Sequence, residues 1–420
     1  MKYGLIGEHL PHSFSREIHA KIADYEYELY ELTPSELDAF MKKRDFCAIN
    51  VTIPYKQAVI PYLDEVDSVA AEIGAVNTIV NRDGRLFGYN TDFFGMKALV
   101  GRIGASLKGR KTLILGTGGT SKTAAAVALS MGAAEVVKVG RSSDVTYENV
   151  YDLHGDAEYI INTTPCGMYP NEDGCEKFAP SAVDISRFPR LTGVLDAVYN
   201  PLRTNIVLDA QKLGVPAKGG LYMLVAQAVK AAEIFTDKAQ DNGVIDKIYS
   251  DMRAAKENIV LIGMPGCGKS TIGESLAAEL SREFIDTDHE IVKYTGKQIP
   301  EIFAEDGEGA FREIESEIIG RLASSKTGAV ISTGGGAVLR EDNVRRLKRN
   351  GRIYFINRSI DAITPTSDRP LSSNSADLRR LYEERRVIYH SSCDFEIVTD
   401  ENIKHTVSAL KSDFSGISRS

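Results

Sequence analysis

Short apolar runs alternate with stretches of helical period from the start of this chain. KYGLIG (2–7), YEYELYEL (25–32), FCAINVTIP (46–54) and NTIVNRDGRLFGYN (77–90) read as strands. Within the last, Asp83-Gly84 supplies a two-residue hairpin turn. From residue 111 the pattern sharpens into strand, glycine turn, Ala-rich helix and strand: KTLILG, TGGTSK, TAAAVALSMGA, EVVKVG. That is a βαβ unit, and YIINTT (159–164) and GVLDAVY (193–199) continue it. GGLYMLVAQAVKAAEIFTD (219–237) then reads as an amphipathic helix, followed by a polar helical stretch to residue 257. A new strand, NIVLIG, opens at 258, and REFIDTD, GAVISTGGG and RIYFINR repeat the alternation. The final KSDFSGISRS reads as a frayed tail.

The pattern predicts an α/β fold in three parts. Residues 1–98 form an α/β domain to which 219–250 return, and 99–218 form a Rossmann-like domain. Residues 251–257 are a linker, and 258–420 form a P-loop domain with a parallel sheet. A length of 420 residues accommodates that many cores. The net charge of −8 argues against a nucleic-acid partner. Five scattered cysteines outside metal-ligand spacing fit a reducing compartment. No run approaches a membrane span and no secretory leader is visible, so the expectation is a cytoplasmic protein acting on small molecules.

Gly263-x-x-x-x-Gly268-Lys269-Ser270 is a full P-loop, lying between a strand and the helix STIGESLAAEL. Its backbone amides and the helix N-terminus suit ATP phosphates, Lys269 suits the β and γ oxygens, and Ser270 suits Mg²⁺. Asp286 and Asp288, two apart beyond a strand, project to one face; one can serve the metal and the other can take a proton. Arg312 and Glu315 share a helix face, and the glycines 334–336 let backbone approach a ligand. Arg369 and Arg385 are candidates for a lid and for a second carboxylate contact.

The P-loop, DTD, FREIE, TGGG, DRPL and R…IY, in this order, resemble shikimate kinase. The resemblance implies that Asp288, Arg312, Gly335, Gly336 and Arg385 hold shikimate. It makes Asp288 the base for the 3-hydroxyl and puts Ser270 and Asp286 on the magnesium side. Gly266, Gly268, Lys269, Ser270 and Thr271 then hold ATP, and Arg369 belongs to a lid and joins Lys269 in stabilising the moving phosphoryl group. The segment before DRPL is short and lacks the arginine that such kinases place near adenine.

The first glycine turn, GTGGTS (116–121), is an imperfect dinucleotide fingerprint in the right context. The next strand ends in Arg141-Ser142 where NAD binders carry an acid; a cation and a hydroxyl there suit the 2′-phosphate of NADP. Upstream stands a dense polar set: Ser13, Ser15, Asn50, Thr52, Lys56, Asn77, Asn90, Thr91 and Asp92. With a lysine and an aspartate among them, they suit proton transfer at a carbonyl or alcohol. HSFS, NVTIPYK, AVNT, NTD, GTGGTSK, INTTPCGM, DAVYNPLRT and GGLYMLVAQA resemble shikimate dehydrogenase over roughly residues 1–250. That resemblance implies that Lys56 and Asp92 are the catalytic pair. Ser13, Ser15, Asn50, Thr52, Asn77, Thr91, Tyr199 and Gln227 then surround shikimate, and Gly116, Gly118, Gly119, Arg141, Ser142, Met168 and Gly219 line the cofactor. Three positions depart from the family pattern: Arg16 for proline, Gly140 for asparagine and Val145 for a second arginine. The last two predict a looser grip on the 2′-phosphate. Together the two resemblances imply consecutive reactions, reduction of 3-dehydroshikimate with NADPH and phosphorylation of shikimate with ATP. Two rival readings stay open, a quinate enzyme using NAD joined to a kinase for another small hydroxy acid, and a silent sensor.

Overall fold

The computed structural model describes residues 2–10, 13–169, 181–363, 375–399 and 402–417. Its strands are β1 Tyr3–Gly7, β2 Tyr27–Glu31, β3 Ala48–Val51, β4 Glu65–Val66, β5 Thr78–Arg82 and β6 Arg85–Tyr89 in a first sheet. A second sheet holds β7 Lys111–Leu115, β8 Glu135–Val139, β9 Tyr159–Asn162, β10 Gly193–Asp196 and β11 Ala217–Lys218. The third holds β12 Asn258–Ile262, β13 Phe284–Asp286, β14 Val330–Ser332, β15 Gly351–Arg358 and β16 Phe395–Thr399.

The first sheet is mixed, in the order β2-β1-β3-β5-β6-β4. Its β5–β6 hairpin turns at Asp83 and Gly84, whose φ values of 53° and 85° match the turn chemistry that Asp-Gly supplies. The second, β11-β10-β9-β7-β8, is wholly parallel, as is the third, β13-β14-β12-β15-β16. Parallel strands covered on both faces read as continuous apolar runs, and β9, β10 and β12 are buried along their whole length. In both parallel sheets the glycine turn follows the strand at which chain order reverses, β7 and β12, where such sheets bind ligands.

Two helices of the first unit, Thr91–Arg102 and Leu221–Thr236, lie in close contact. Gly95 permits this: a Cβ there would fall 2.6 Å from the Met223 carbonyl oxygen. The pairing brings Thr91 up to Gln227, 136 positions away.

The chain divides into two compact units whose main break falls between Met252 and Arg253. Through that break the chain is helical as far as Lys256, because the helix Val244–Lys256 has Ile248, Tyr249 and Met252 to bury. Strands β4, β11 and β16 were not legible in the sequence. The first two are two residues long, and the third is an edge strand whose residues alternate between half-buried and exposed. The expected frayed tail is also corrected. The helix Ile403–Ile417 runs through it and buries Val407, Leu410 and Phe414 in the third sheet's core. Among the described residues, no helix is long and apolar enough to cross a membrane.

Phe414→Ala should therefore destabilise the second unit by about 3–5 kcal/mol, the cost of a cavity at a buried phenylalanine. Thermal or denaturant unfolding measures it, and a loss under about 0.5 kcal/mol would return the segment to the status of a tail.

Candidate active sites

In the first unit, the sequence-predicted pair comes together. Lys56, just past β3, places Nζ 2.6 Å from Asp92 Oδ2 in the first turn of the helix Thr91–Arg102, both side chains largely buried. Beside them lies a buried polar cluster. Asn77 Nδ2 donates to Thr91 Oγ1 at 3.0 Å and to Gln227 Oε1 at 3.4 Å, and Thr91 Oγ1 lies 3.3 Å from the same Gln227 oxygen. Asn50 Oδ1 accepts from Tyr27 at 2.8 Å, and its Nδ2 donates to the Asn77 carbonyl at 3.2 Å and Thr78 Oγ1 at 3.1 Å. Asn50 thus braces the cluster from behind, and Thr78 is a member that the sequence reading missed. The Val76 amide donates to the Lys56 carbonyl at 2.8 Å, tying the lysine turn to the segment that carries Asn77.

Ser13 Oγ accepts from the Ser15 amide at 3.3 Å, which ties the two serines together where the helix Ser15–Ile22 begins. Thr52 is half-buried, its amide bonded to the Ile6 carbonyl at 2.9 Å. The Tyr199 ring packs 5.2 Å from Phe14. A lysine and a carboxylate in contact beside uncharged donors and acceptors can shuttle a proton to an oxygen held by the amides.

The cofactor-type turn follows β7. Gly116 has φ 105° and closes against Thr163, whose Oγ1 would lie 3.0 Å from a Cβ there. Space opens around Gly118 and Gly119, where the helix Gly119–Ser130 begins, and Ser121 Oγ donates to the Gly118 carbonyl at 2.6 Å to hold the turn. Arg141 and Ser142 are exposed just beyond β8, Met168 is exposed and Gly219 is buried. At Gly140 a Cβ would fall 2.4 Å from Ser143 Oγ and 2.6 Å from Thr117 Cγ2, so these two side chains occupy the room an asparagine would need. Val145 packs against the core of the second sheet, which accounts for an apolar residue where a second arginine was expected.

In the second unit, Gly263, Gly266 and Gly268 take φ values of 147°, 81° and 96°, which curl the loop ahead of the helix Lys269–Leu280. Lys269 Nζ folds over the loop and donates to the carbonyls of Gly263 at 3.0 Å and Met264 at 2.9 Å. Asp286 accepts from Ser270 Oγ at 2.6 Å and, through its other oxygen, from the Asp288 amide at 2.9 Å. Ser332, not singled out from the sequence, lies 3.4 Å from Ser270 across the same spot. Thr271 is exposed beside them.

The glycine turn after β14 is the hub of this site. A Cβ on Gly334 would fall 2.7 Å from Asp288 Oδ1 and 2.8 Å from Glu315 Oε1, and one on Gly336 would fall 2.3 Å from the Arg312 guanidinium. Arg385 donates to the Gly335 carbonyl at 3.1 Å, and the Tyr389 hydroxyl donates to the same oxygen. Arg312 is held by Glu315 at 2.8 Å and Glu308 at 3.1 Å, and Glu315 is fully buried. Asp288 Oδ1 is buried without a hydrogen-bond partner. Two arginines and two unsatisfied carboxylate oxygens, Asp288 Oδ1 and Glu315 Oε1, thus converge on a stretch of bare backbone. Arg369 lies outside the described residues.

A family profile for the shikimate dehydrogenase substrate binding domain matches residues 5–79, and one for shikimate kinase matches residues 265–413. The "Shikimate dehydrogenase (NADP(+))" of Clostridium perfringens (strain SM101 / Type A) is 35% identical over 271 residues, 60% of this chain and 98% of its own length. This chain belongs to the shikimate dehydrogenase family. Behind that half it carries a shikimate kinase domain, so it is a fusion of an oxidoreductase with a kinase. Among solved structures, shikimate dehydrogenase 1 from Peptoclostridium difficile matches with a TM-score of 0.54 and 35% identity, covering 60% of this chain and 98% of its own. Quinate dehydrogenase from Corynebacterium glutamicum, in complex with NAD, matches with a TM-score of 0.52 and 26% identity, covering 60% and 98%.

In the kinase half the electrostatics bear on a proton acceptor. Burial, reinforced by Asp286 and Glu315, pushes the Asp288 carboxyl up to about 6 against the pull of Lys269 and Arg312. Burial also raises Glu315, opposed by Arg312. A carboxyl titrating there is ionised at neutral pH yet basic enough to accept a hydroxyl proton. A carboxylate base acts as the anion, so, with Asp288 as the proton acceptor, kcat/KM for phosphorylation should be flat above pH 7 and fall about tenfold per unit below a pKa near 6. Asp288→Asn should remove both the rate and that limb; a wild-type profile level from pH 5 to 7 would contradict this placement.

Proposed function

We propose that this fusion catalyses two consecutive steps of the shikimate pathway: NADPH-dependent reduction of 3-dehydroshikimate to shikimate, then ATP-dependent phosphorylation of the shikimate 3-hydroxyl. The observation that carries the reading is the pair of proton-handling sites in one chain, Lys56–Asp92 at 2.6 Å and the partnerless Asp288 oxygen at a glycine turn that also meets Arg312 and Arg385. The first suits a ketone becoming an alcohol. The second suits an alcohol on a molecule that carries a carboxylate.

In the first half, NADPH would lie along Gly116, Gly118 and Gly119, with Arg141 and Ser142 at its 2′-phosphate and Met168 and Gly219 at the reacting end; it supplies the hydride. The open backbone at Gly118 and Gly119 fits a pyrophosphate, and an exposed arginine beyond β8 favours NADP over the NAD bound by the quinate enzyme. Asn77, Thr91 and Gln227, with Ser13, Ser15, Thr52 and Tyr199, hold the ring hydroxyls and carboxylate, and Asn50 braces them. Lys56 gives a proton to the oxygen of the former ketone, and Asp92 keeps the ammonium aimed.

In the second half, Gly266, Gly268, Lys269, Ser270 and Thr271 would hold ATP, which supplies the phosphoryl group. Ser270 and Asp286 offer adjacent hydroxyl and carboxylate oxygens, a hard-donor pair that fits Mg²⁺ shared with phosphates. Arg312 and Arg385 clamp the carboxylate at Gly335 and Gly336, and Asp288 accepts the 3-hydroxyl proton. Lys269, joined by Arg369, balances charge on the moving group.

Lys56→Ala and Asp92→Asn test the reading in the full chain. Each should lower 3-dehydroshikimate reduction by about 10²–10⁴-fold, the usual worth of a general acid–base group, while phosphorylation of added shikimate stays at the wild-type rate. Equal loss of both activities in a folded variant would contradict two separate sites.

A further inference from the structure

Asp196 closes β10, is fully buried and has no part in the mechanism above. Its Oδ1 accepts from Asn162 Nδ2 at 2.9 Å and from the Val198 amide at 2.9 Å, and its Oδ2 accepts from the Thr204 hydroxyl. Asn162 closes the neighbouring strand β9, and its Oδ1 in turn accepts from the Thr164 amide at 3.1 Å and the Thr164 hydroxyl at 2.7 Å. Thr163 donates to the Leu115 carbonyl at 2.6 Å, at the end of β7. This string, completed through the backbone of 163–164, therefore crosses the C-terminal ends of β10, β9 and β7, directly behind the glycine turn.

What hangs from this string belongs to the reacting end of the site. The turn 197–200 carries Tyr199, and its Val198 carbonyl accepts from the Gly220 amide at 2.8 Å, next to Gly219. Gly220 sits so close that a Cβ would fall 2.2 Å from the Ala197 carbonyl oxygen. The turn after β9 carries Met168, whose amide is bonded to the Pro165 carbonyl at 3.0 Å. The groups assigned to the phosphates and 2′-phosphate stand elsewhere, on the turn after β7 and beyond β8.

A carboxylate suits this junction because three donors converge on it, and a neutral asparagine of the same size offers only one acceptor oxygen. Burial alone drives the carboxyl up to about 7, with the three donated bonds opposing. A buried carboxyl is a poor device for stability by itself, and an apolar side chain would fill the space at less cost. Its use lies in direction: it fixes two turns relative to each other.

We propose that Asp196 is a positioning residue for hydride transfer, holding the turns that bear Tyr199, Met168 and Gly219 in register. The proposal rests on the reading of this half as an NADPH-dependent ketone reductase. Displacement by an ångström at a reacting centre can cost about a hundredfold in rate.

The test uses the full chain and follows reduction of 3-dehydroshikimate together with NADPH affinity by fluorescence titration. Asp196→Asn should lower kcat by about 10²-fold while the NADPH Kd moves less than about threefold, because the phosphate contacts hang from β7 and β8. Thr204→Val, which removes one donor, should reproduce the split, and Thr204→Ser, which keeps it, should stay within about threefold of wild type. An unchanged kcat in Asp196→Asn, or joint loss of kcat and NADPH affinity in the variants, overturns the proposal. If Asp196→Asn does not fold, the Thr204 pair decides by the same split. A wild-type chain that oxidises no NADPH with this ketone would instead overturn the underlying reading, before any variant is compared.

Discussion

Backbone amides at the start of a helix have no partner inside that helix, and both halves of this protein are built around that constraint. A strand buried along its length brings the chain to the rim of a parallel sheet, glycines turn it, and a helix begins at once with its free amides facing outward. This happens after β7, at Gly116–Gly119, and again after β12, at Gly263–Gly268. Everything else is arranged relative to those two turns. Thr163 and Ser121 lock the first, and Ser270, Asp286 and Ser332 gather at the second.

The two sites differ in how they treat charge. In the dehydrogenase half the charged pair is a single lysine and aspartate in contact, and the surrounding cluster of amides and hydroxyls is neutral. Such a surface suits hydroxyl groups without committing the site to a fixed anion. In the kinase half, carboxylates and guanidinium groups alternate around bare glycine backbone: Asp288, Glu315, Arg312 and Arg385. Bulk at Gly334 or Gly336 would collide with these groups, so the glycines are part of the site's electrostatics as well as its shape.

Much of this was legible in the sequence because it is written in local pattern. The glycine turns lie between a strand and a helix, Asp286 and Asp288 are two apart, and Asp-Gly marks a hairpin. What escaped was set by packing across distance. Thr78 is one case: only the fold brings its Oγ1 within 3.1 Å of Asn50 Nδ2, 28 positions away. Strand β16 is half-exposed and the helix Ile403–Ile417 closes the chain among polar residues, so neither announced the core it covers. Gly140 and Val145 read as departures from the family pattern, and the structure supplies a reason for each: crowding by Thr117 and Ser143, and packing against the second sheet's core. Asp196 gave no signal because a buried aspartate looks the same in sequence as a surface one.

The central claim is that one molecule, shikimate, is the product of the first site and the substrate of the second. It is tested most directly by incubating the full chain with 3-dehydroshikimate, NADPH, ATP and Mg²⁺ and measuring NADPH oxidation and shikimate 3-phosphate together. The account predicts that both proceed, that omitting NADPH abolishes both, and that omitting ATP leaves NADPH oxidation running and shikimate accumulating. NADPH oxidation with ATP present but no phosphorylated product, or no oxidation at all, would contradict it.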